Sequence, residues 1–221
     1  MSQEALEPAP PTARETLAAR RERHDYDRLL MLSDGVFAIA ITLGALEVRP
    51  PEAAHAGAAG LLWLMTPGLL TYAISFAVIA AYWSAHRRMF AMLQRVDTVT
   101  IMLNLLLLGL VALQPAAVGL LIHNGPRAGA LELYLGLIVA IGLAQALFWG
   151  YAAFIRRLVD PLLGLRYRLG QLVLGLVLPV LAATLSIYSS RSGSPLIAGL
   201  CLGLIAAMIV ARRILNRNLE R

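Results

Sequence analysis

The sequence predicts an all-α integral membrane protein that crosses the bilayer six times, and three observations predict it. First, 59% of the residues are hydrophobic and 14% charged, against about a quarter charged in an average soluble domain. Second, Asp, Glu, Lys and Arg are absent from residues 53–86, 98–126, 133–155, 169–190 and 192–211. Each run reaches the roughly 20 residues that a helix needs to span the hydrocarbon core, and a soluble fold of this length cannot bury them all. Third, all 19 basic residues are arginine, and their positions alternate. Arg14, Arg20, Arg21, Arg23 and Arg28 precede the first span, and Arg87, Arg88 and Arg95 follow the second. Arg156, Arg157, Arg166 and Arg168 follow the fourth, and Arg212, Arg213, Arg217 and Arg221 follow the last. The opposite loops carry only Arg49, Arg127 and Arg191. This positive-inside asymmetry implies a multi-pass protein of the cell inner (plasma) membrane with both termini in the cytoplasm. The net charge of +6 is then a topology signal. It calls for anionic lipid headgroups, not nucleic acid, as its partner.

The elements follow in order. Residues 1–27 are expected to form a cytoplasmic N-terminal segment, polar and interrupted by Pro8, Pro10 and Pro11, that leads into a short helix at the membrane surface. Residues 28–213 form the six-helix membrane domain and 214–221 a cytoplasmic tail. The first span runs from about Arg28 to Val48 and ends at Pro50 and Pro51. The second covers about Gly57–Trp83 and the third about Asp97–Ile122, closed by the turn His123-Asn124-Gly125-Pro126. The fourth covers about Gly129–Phe154, the fifth Leu169–Tyr188, and the sixth runs to Ala211 after a turn at Arg191–Pro195. Pro67, Pro115 and Pro179 fall inside spans, which membrane helices tolerate. Connections this short suit helices better than a barrel of ten-residue strands. Ala54-His55-Ala56 could end a cleaved signal sequence, but Asp34 opens the apolar run and Glu47-Val48-Arg49-Pro50-Pro51 separates it from that point. Cys201 stands alone, so no intrachain disulfide is possible.

The first span is the least hydrophobic and the most informative. A carboxylate at helix centre costs roughly 2.5–3.5 kcal/mol, so Asp34, nearer the cytoplasmic end, caps the interface or takes a partner. Arg28 lies six residues away, about 240° around a helix, so the two do not meet. The partner would come from another helix, and Trp83, His86, Arg87 and Arg88 end the antiparallel second span at the same depth. Leu32, Val36, Ile39, Leu43 and Leu46 recur as an apolar stripe bordered by Thr42, a pattern that core packing also produces. Ala38, Ala40, Gly44 and Ala45 allow close helix approach. Asp34 is expected to matter more than Asp97. His24, His55 and His123 read as loop residues without metal-site company.

The run Arg28-Leu-Leu-Met-Leu32-Ser33-Asp34-Gly35-Val-Phe37-Ala38-Ile39 resembles the signature of bacterial relatives of the lysosomal potassium channel transmembrane protein 175. That signature reads Arg, three residues, Phe-Ser-Asp, then Ala-Ile, with Leu32 here in place of the phenylalanine. Tyr82-Trp83-Ser84-Ala85-His86-Arg87-Arg88 resembles a second block of the family, and Asp97 with Asn104 and Leu105 a third. The resemblance implies a homotetramer whose first helices line a central pore for monovalent cations. Ile39, Leu43 and Leu46 would form stacked apolar constrictions with Thr42 beside them. Arg28, Ser33, Asp34, Trp83 and His86 would form the polar network at the cytoplasmic end. Gly44-Ala45 stand where bulkier residues are expected. No Thr-Val-Gly-Tyr-Gly carbonyl filter is present, so an apolar ring would gate by dewetting and discriminate modestly between K⁺ and Na⁺. K⁺ would be permeant, with no cofactor.

Three rival classes remain, one of them a purely structural membrane protein, which carries no sequence mark of its own. A secondary transporter or proton-coupled permease would bring an inverted repeat and paired broken helices, neither of which the sequence displays. An enzyme would bring a catalytic constellation. The apolar runs hold no His-Glu-x-x-His, no paired carboxylates and no serine with a nearby base, so none is expected.

Overall fold

The computed structural model describes residues 17–49, 57–125 and 128–192, all helices and their connections. In order they are α1 (Leu17–Leu43), a 3₁₀ turn (Gly44–Glu47), α2 (Ala58–Ala91), α3 (Thr98–Ala112), α4 (Gln114–Asn124), α5 (Ala128–Gly150), a π turn (Tyr151–Ile155) and α6 (Leu165–Ser192). Five segments are long and apolar enough to cross a membrane, namely Arg23–Glu47, Ala58–Ala91, Thr98–Asn124, Gly129–Ile155 and Leu165–Leu185. The chain is an all-helical, multi-pass membrane protein. The expected sixth span, to Ala211, and the tail 214–221 lie outside the described residues.

Three boundaries differ from the sequence reading. The expected surface helix and the first span are one continuous helix from Leu17, without a break at Arg28. Helix α2 continues past Trp83 to Ala91, and α6 begins at Leu165, before the apolar run opens. Hydropathy marks where lipid begins, whereas backbone hydrogen bonding carries a helix on into the headgroup region. Pro115 lies inside the third membrane-crossing segment, Thr98–Asn124, as expected, close to a one-residue interruption of its helix. Helix α3 stops at Ala112, Leu113 is a single turn residue that keeps right-handed helical dihedrals, and Pro115 is the second residue of α4. Proline has no N–H to bond the carbonyl four residues back and its ring clashes there, but a first helical turn accepts it. Pro67 and Pro179 do remain inside α2 and α6.

Helix α5 is the central post. It packs along α6 and also against α3 and α4. At the α5–α6 crossing, Gly142 receives the ring of Pro179: a Cβ on Gly142 would fall 2.6 Å from Pro179 Cγ. Lipid offers no hydrophobic drive between helices, so such close backbone contacts supply the association. One buried cluster joins Phe37, Val78, Tyr82, Leu107, Val111 and Ile138 through the span. A second, with Leu29, Phe90, Phe148, Trp149 and Val159, lies at the arginine-rich end.

That end is stitched by backbone bonds. The α2–α3 and π–α6 connections pair at Leu93 and Val159. Gln94 N donates to Leu158 O at 2.9 Å and Asp160 N to Met92 O at 3.1 Å. Arg168 donates from Nε to Leu163 O at 3.0 Å and from its terminal nitrogens to Ala153 O at 3.3 Å and Asp160 O at 3.4 Å. It thereby satisfies one carbonyl at the end of the fourth span, that of Ala153, and two in the connection that follows.

Candidate functional site: the first helix and its anchors

Helix α1 has two unlike faces. Leu29, Ser33, Phe37, Ala40 and Gly44 are buried against the other helices. The opposite face is open over roughly half of the circumference. One flank of it carries the apolar stripe, with Ile39 57%, Leu43 43% and Leu46 67% exposed. Gly35 and Thr42 lie along the middle, and Asp34, Ala38 and Ala45 form the other flank. Ile41, by contrast, is half-buried and packs on the core. The Thr42 hydroxyl donates back to Ala38 O (2.9 Å) and Ile39 O (3.2 Å). Neither of its two oxygen lone pairs is used by these bonds.

The expected polar network resolves into two parts. In the buried part, His86 Nε2 donates to Asn104 Oδ1 at 2.8 Å and Asn104 Nδ2 donates to Ser33 Oγ at 3.0 Å. Ser33 Oγ then donates to Leu29 O at 2.7 Å. The donors run one way from α2 through α3 to α1. The His86 ring stacks on Phe90, centroids 4.5 Å apart, and lies 5.3 Å from Phe37. In the exposed part, Trp83 Nε1 donates to Asp34 Oδ1 at 2.8 Å, and the Arg87 guanidinium lies 5.2 Å over the same indole. Asp34 thus takes its partner from α2, as expected, but a neutral donor and not an arginine. Arg28 is exposed and pairs with no described side chain, so the chain by itself does not bring it into the network.

The hub is Asn104, absent from the predicted site. Its signal was legible: a wholly buried amide in an otherwise apolar span needs a partner. Asp97 too was undervalued. Its Oδ1 caps α3 by accepting from Thr100 N (2.8 Å) and Thr100 Oγ1 (2.7 Å). Its Oδ2 accepts from the Tyr151 hydroxyl (2.8 Å) and Arg156 Nε (3.3 Å). Burial pushes the Asp97 carboxyl up, but the hydrogen bonds from Thr100 and Tyr151, with the Arg156 charge, hold it below its ordinary value. At the other end of α1, Glu47 Oε2 lies 3.2 Å from His123 Nε2, so His123 is not a bare loop residue.

Among the described residues no group of three or more His, Cys, Asp or Glu side chains could hold a metal ion. The site's chemistry is that of an apolar surface tied down by hydrogen bonds.

The profile of the endosomal/lysosomal potassium channel TMEM175 family matches residues 28–115, which include all of α1 from the signature arginine, α2 and α3. A potassium channel of Chamaesiphon minutus is 37% identical over 145 residues, 62% of this chain and 71% of that protein. The human endosomal/lysosomal proton channel TMEM175 is 27% identical over 169 residues, 73% of this chain but 34% of that protein. Among solved structures, a lysosomal potassium-selective channel TMEM175 homolog from Chamaesiphon minutus aligns with a TM-score of 0.63 at 30% identity, covering 88% of this chain and 98% of that one. With a shared signature helix, a shared fold and a relative matched over most of its length, the chain belongs to the TMEM175 family.

Proposed function

We propose that the chain is a potassium-permeable cation channel, a homotetramer in the plasma membrane with both termini cytoplasmic, in which α1 of each subunit lines a central pore. The observation that carries this reading is the open face of α1. A helix that packs one side fully and leaves Ile39, Leu43 and Leu46 uncovered has a surface reserved for something outside the subunit. The small-residue flank, Ala38 and Ala45, suits close approach by another copy's helix. The stripe beside it then faces the axis. Family membership and the Chamaesiphon minutus potassium channel supply the ion.

In this arrangement Ile39, Leu43 and Leu46 repeat as apolar rings that empty of water when narrow and admit partly dehydrated cations when wide. Thr42 offers an oxygen between the rings of Ile39 and Leu43. The Ser33–Asn104–His86 chain fixes the inner half of α1 in rotation, which keeps the stripe on axis.

The name of the human relative favours a second permeant ion, the proton. Flux from potassium-loaded liposomes tests both. With a protonophore added to carry the compensating charge, potassium efflux that protein-free liposomes do not give is the expected result. Proton uptake at symmetrical potassium, without the protonophore, points to the second ion. Flux of neither ion, from protein shown to be folded, overturns the channel reading.

A further inference from the structure

The 3₁₀ turn Gly44–Glu47 extends α1 beyond its last α-helical residue and carries Leu46. Three close fits hold it. A Cβ on Gly44 would lie 3.4 Å from the Tyr72 ring of α2. A Cβ on Gly68 of α2 would lie 3.6 Å from both Val48 and Ile122. The tightest is at Gly119 of α4, where a Cβ would fall 2.6 Å from Glu47 Oε2 and 2.7 Å from its Cδ. One turn further along α4, His123 Nε2 meets the same Oε2 at 3.2 Å. Helix α4 therefore presents a notch and a hydrogen-bonding group, four residues apart, to one carboxylate.

Stability alone does not account for this arrangement. Glycine in the middle of a helix is roughly 1 kcal/mol worse than alanine. An ion pair as open as this one, with the side chains 49% and 29% exposed, gives back about 0–1 kcal/mol. What the notch and histidine do secure is position: together they seat the carboxylate against α4, and with it the turn bearing Leu46. The other ionisable groups on or against the turn are Tyr72, packed on Gly44, and exposed Arg49.

We propose that Glu47 is a positioning residue for the outermost constriction, latching the 3₁₀ turn to α4 through His123 and Gly119 and so setting how far Leu46 reaches toward the axis. The latch follows from the geometry, while its effect on conduction rests on the channel reading above. Glu47→Ala and His123→Ala release the turn, and Gly119→Ala pushes it off its seat.

The test uses the full chain, purified and reconstituted, with two readouts that do not depend on how many channels fold. One is unitary K⁺ conductance in planar bilayers. The other is the modification rate of Leu46→Cys in a Cys201→Ala background. Each single variant should shift both by roughly threefold or more, the scale of one hydrogen bond. The double variant Glu47→Ala/Gly119→Ala should be no worse than Glu47→Ala, because the added methyl then has no carboxylate to displace. Unchanged conductance and modification in Glu47→Ala and His123→Ala, with wild type conducting, overturns the latch. So do effects of Glu47→Ala and Gly119→Ala that simply add. Should wild type pass no current, the channel reading fails instead, and the modification rates still decide whether the latch exists.

Discussion

Asn104 on α3 donates to Ser33 on α1 across 3.0 Å while its other amide atom takes a hydrogen bond from His86 on α2, so one side chain ties three helices at one depth. Both ends of the amide are used, and neither partner is replaceable by water at a fully buried site. Asn104→Leu leaves the His86 N–H without an acceptor in an apolar core, a loss of about 1–3 kcal/mol. Thermal unfolding in detergent should show a clear drop for Asn104→Leu and little change for Leu105→Ala, whose side chain is exposed. Equal behaviour of the two would mean that the amide is idle.

Asp97 predicts a pH dependence. Its carboxyl is held below the ordinary 3.8, so the folded state binds the proton less readily than the unfolded one. The resulting stabilisation is complete above the ordinary value and is lost as pH falls below it and through the lower folded value. Wild type should therefore exceed Asp97→Asn in stability at pH 7, with the gap closing in acid below about pH 4. With four contacts against one for Asp34, Asp97→Asn should also unfold more easily than Asp34→Asn, reversing the order that the signature suggested. A gap independent of pH would remove the charge from the account.

Leu43 and Ile41 separate pore from core. Leu43 lies on the open face and Ile41 is half-buried against the core. In the proposed pore, Leu43→Ser would wet an apolar ring and lower the dehydration barrier, so potassium flux should rise and cation discrimination relax. Ile41→Ser only loses contacts, so flux per folded protein should hold while stability falls. A silent Leu43→Ser beside a leaky Ile41→Ser would place the pore on the other face.

Gly142 and Gly136 lie on the same helix but meet different surroundings. Alanine at 142 collides with Pro179, whereas a Cβ at 136 has nothing within 4 Å. Gly142→Ala should destabilise by about 1–3 kcal/mol through overpacking. Gly136→Ala should be neutral or stabilise by roughly 0.5–1 kcal/mol, the usual gain of replacing a helical glycine. Unfolding midpoints of the pair read the difference in sign directly.

Much of this was legible in the sequence because lipid leaves so few options. Four of the five uncharged runs correspond to described membrane-crossing helices, and the stripe from Leu32 to Leu46 already distinguished one side of α1. What periodicity could not say was whether that stripe is packed or open, since the buried face, Ser33, Phe37 and Ala40, is apolar enough to look the same. Pairings between distant segments were equally hidden. Nothing in the local pattern joins Asn104 to His86, or Glu47 to His123, until the helices are laid side by side. The one-residue interruption at Leu113 has its local sign in Pro115, which stays inside the third span because proline is as acceptable within a membrane helix as at the start of a new one.

The two ends of α1 are carried by different helices. Its inner half is tied to α3 through Asn104 and its terminal 3₁₀ turn to α4 through His123, with Leu113 between α3 and α4. In the proposed pore, the Ile39 and Leu46 levels would therefore answer to separate supports, and a displacement of α4 would reach Leu46 before Ile39.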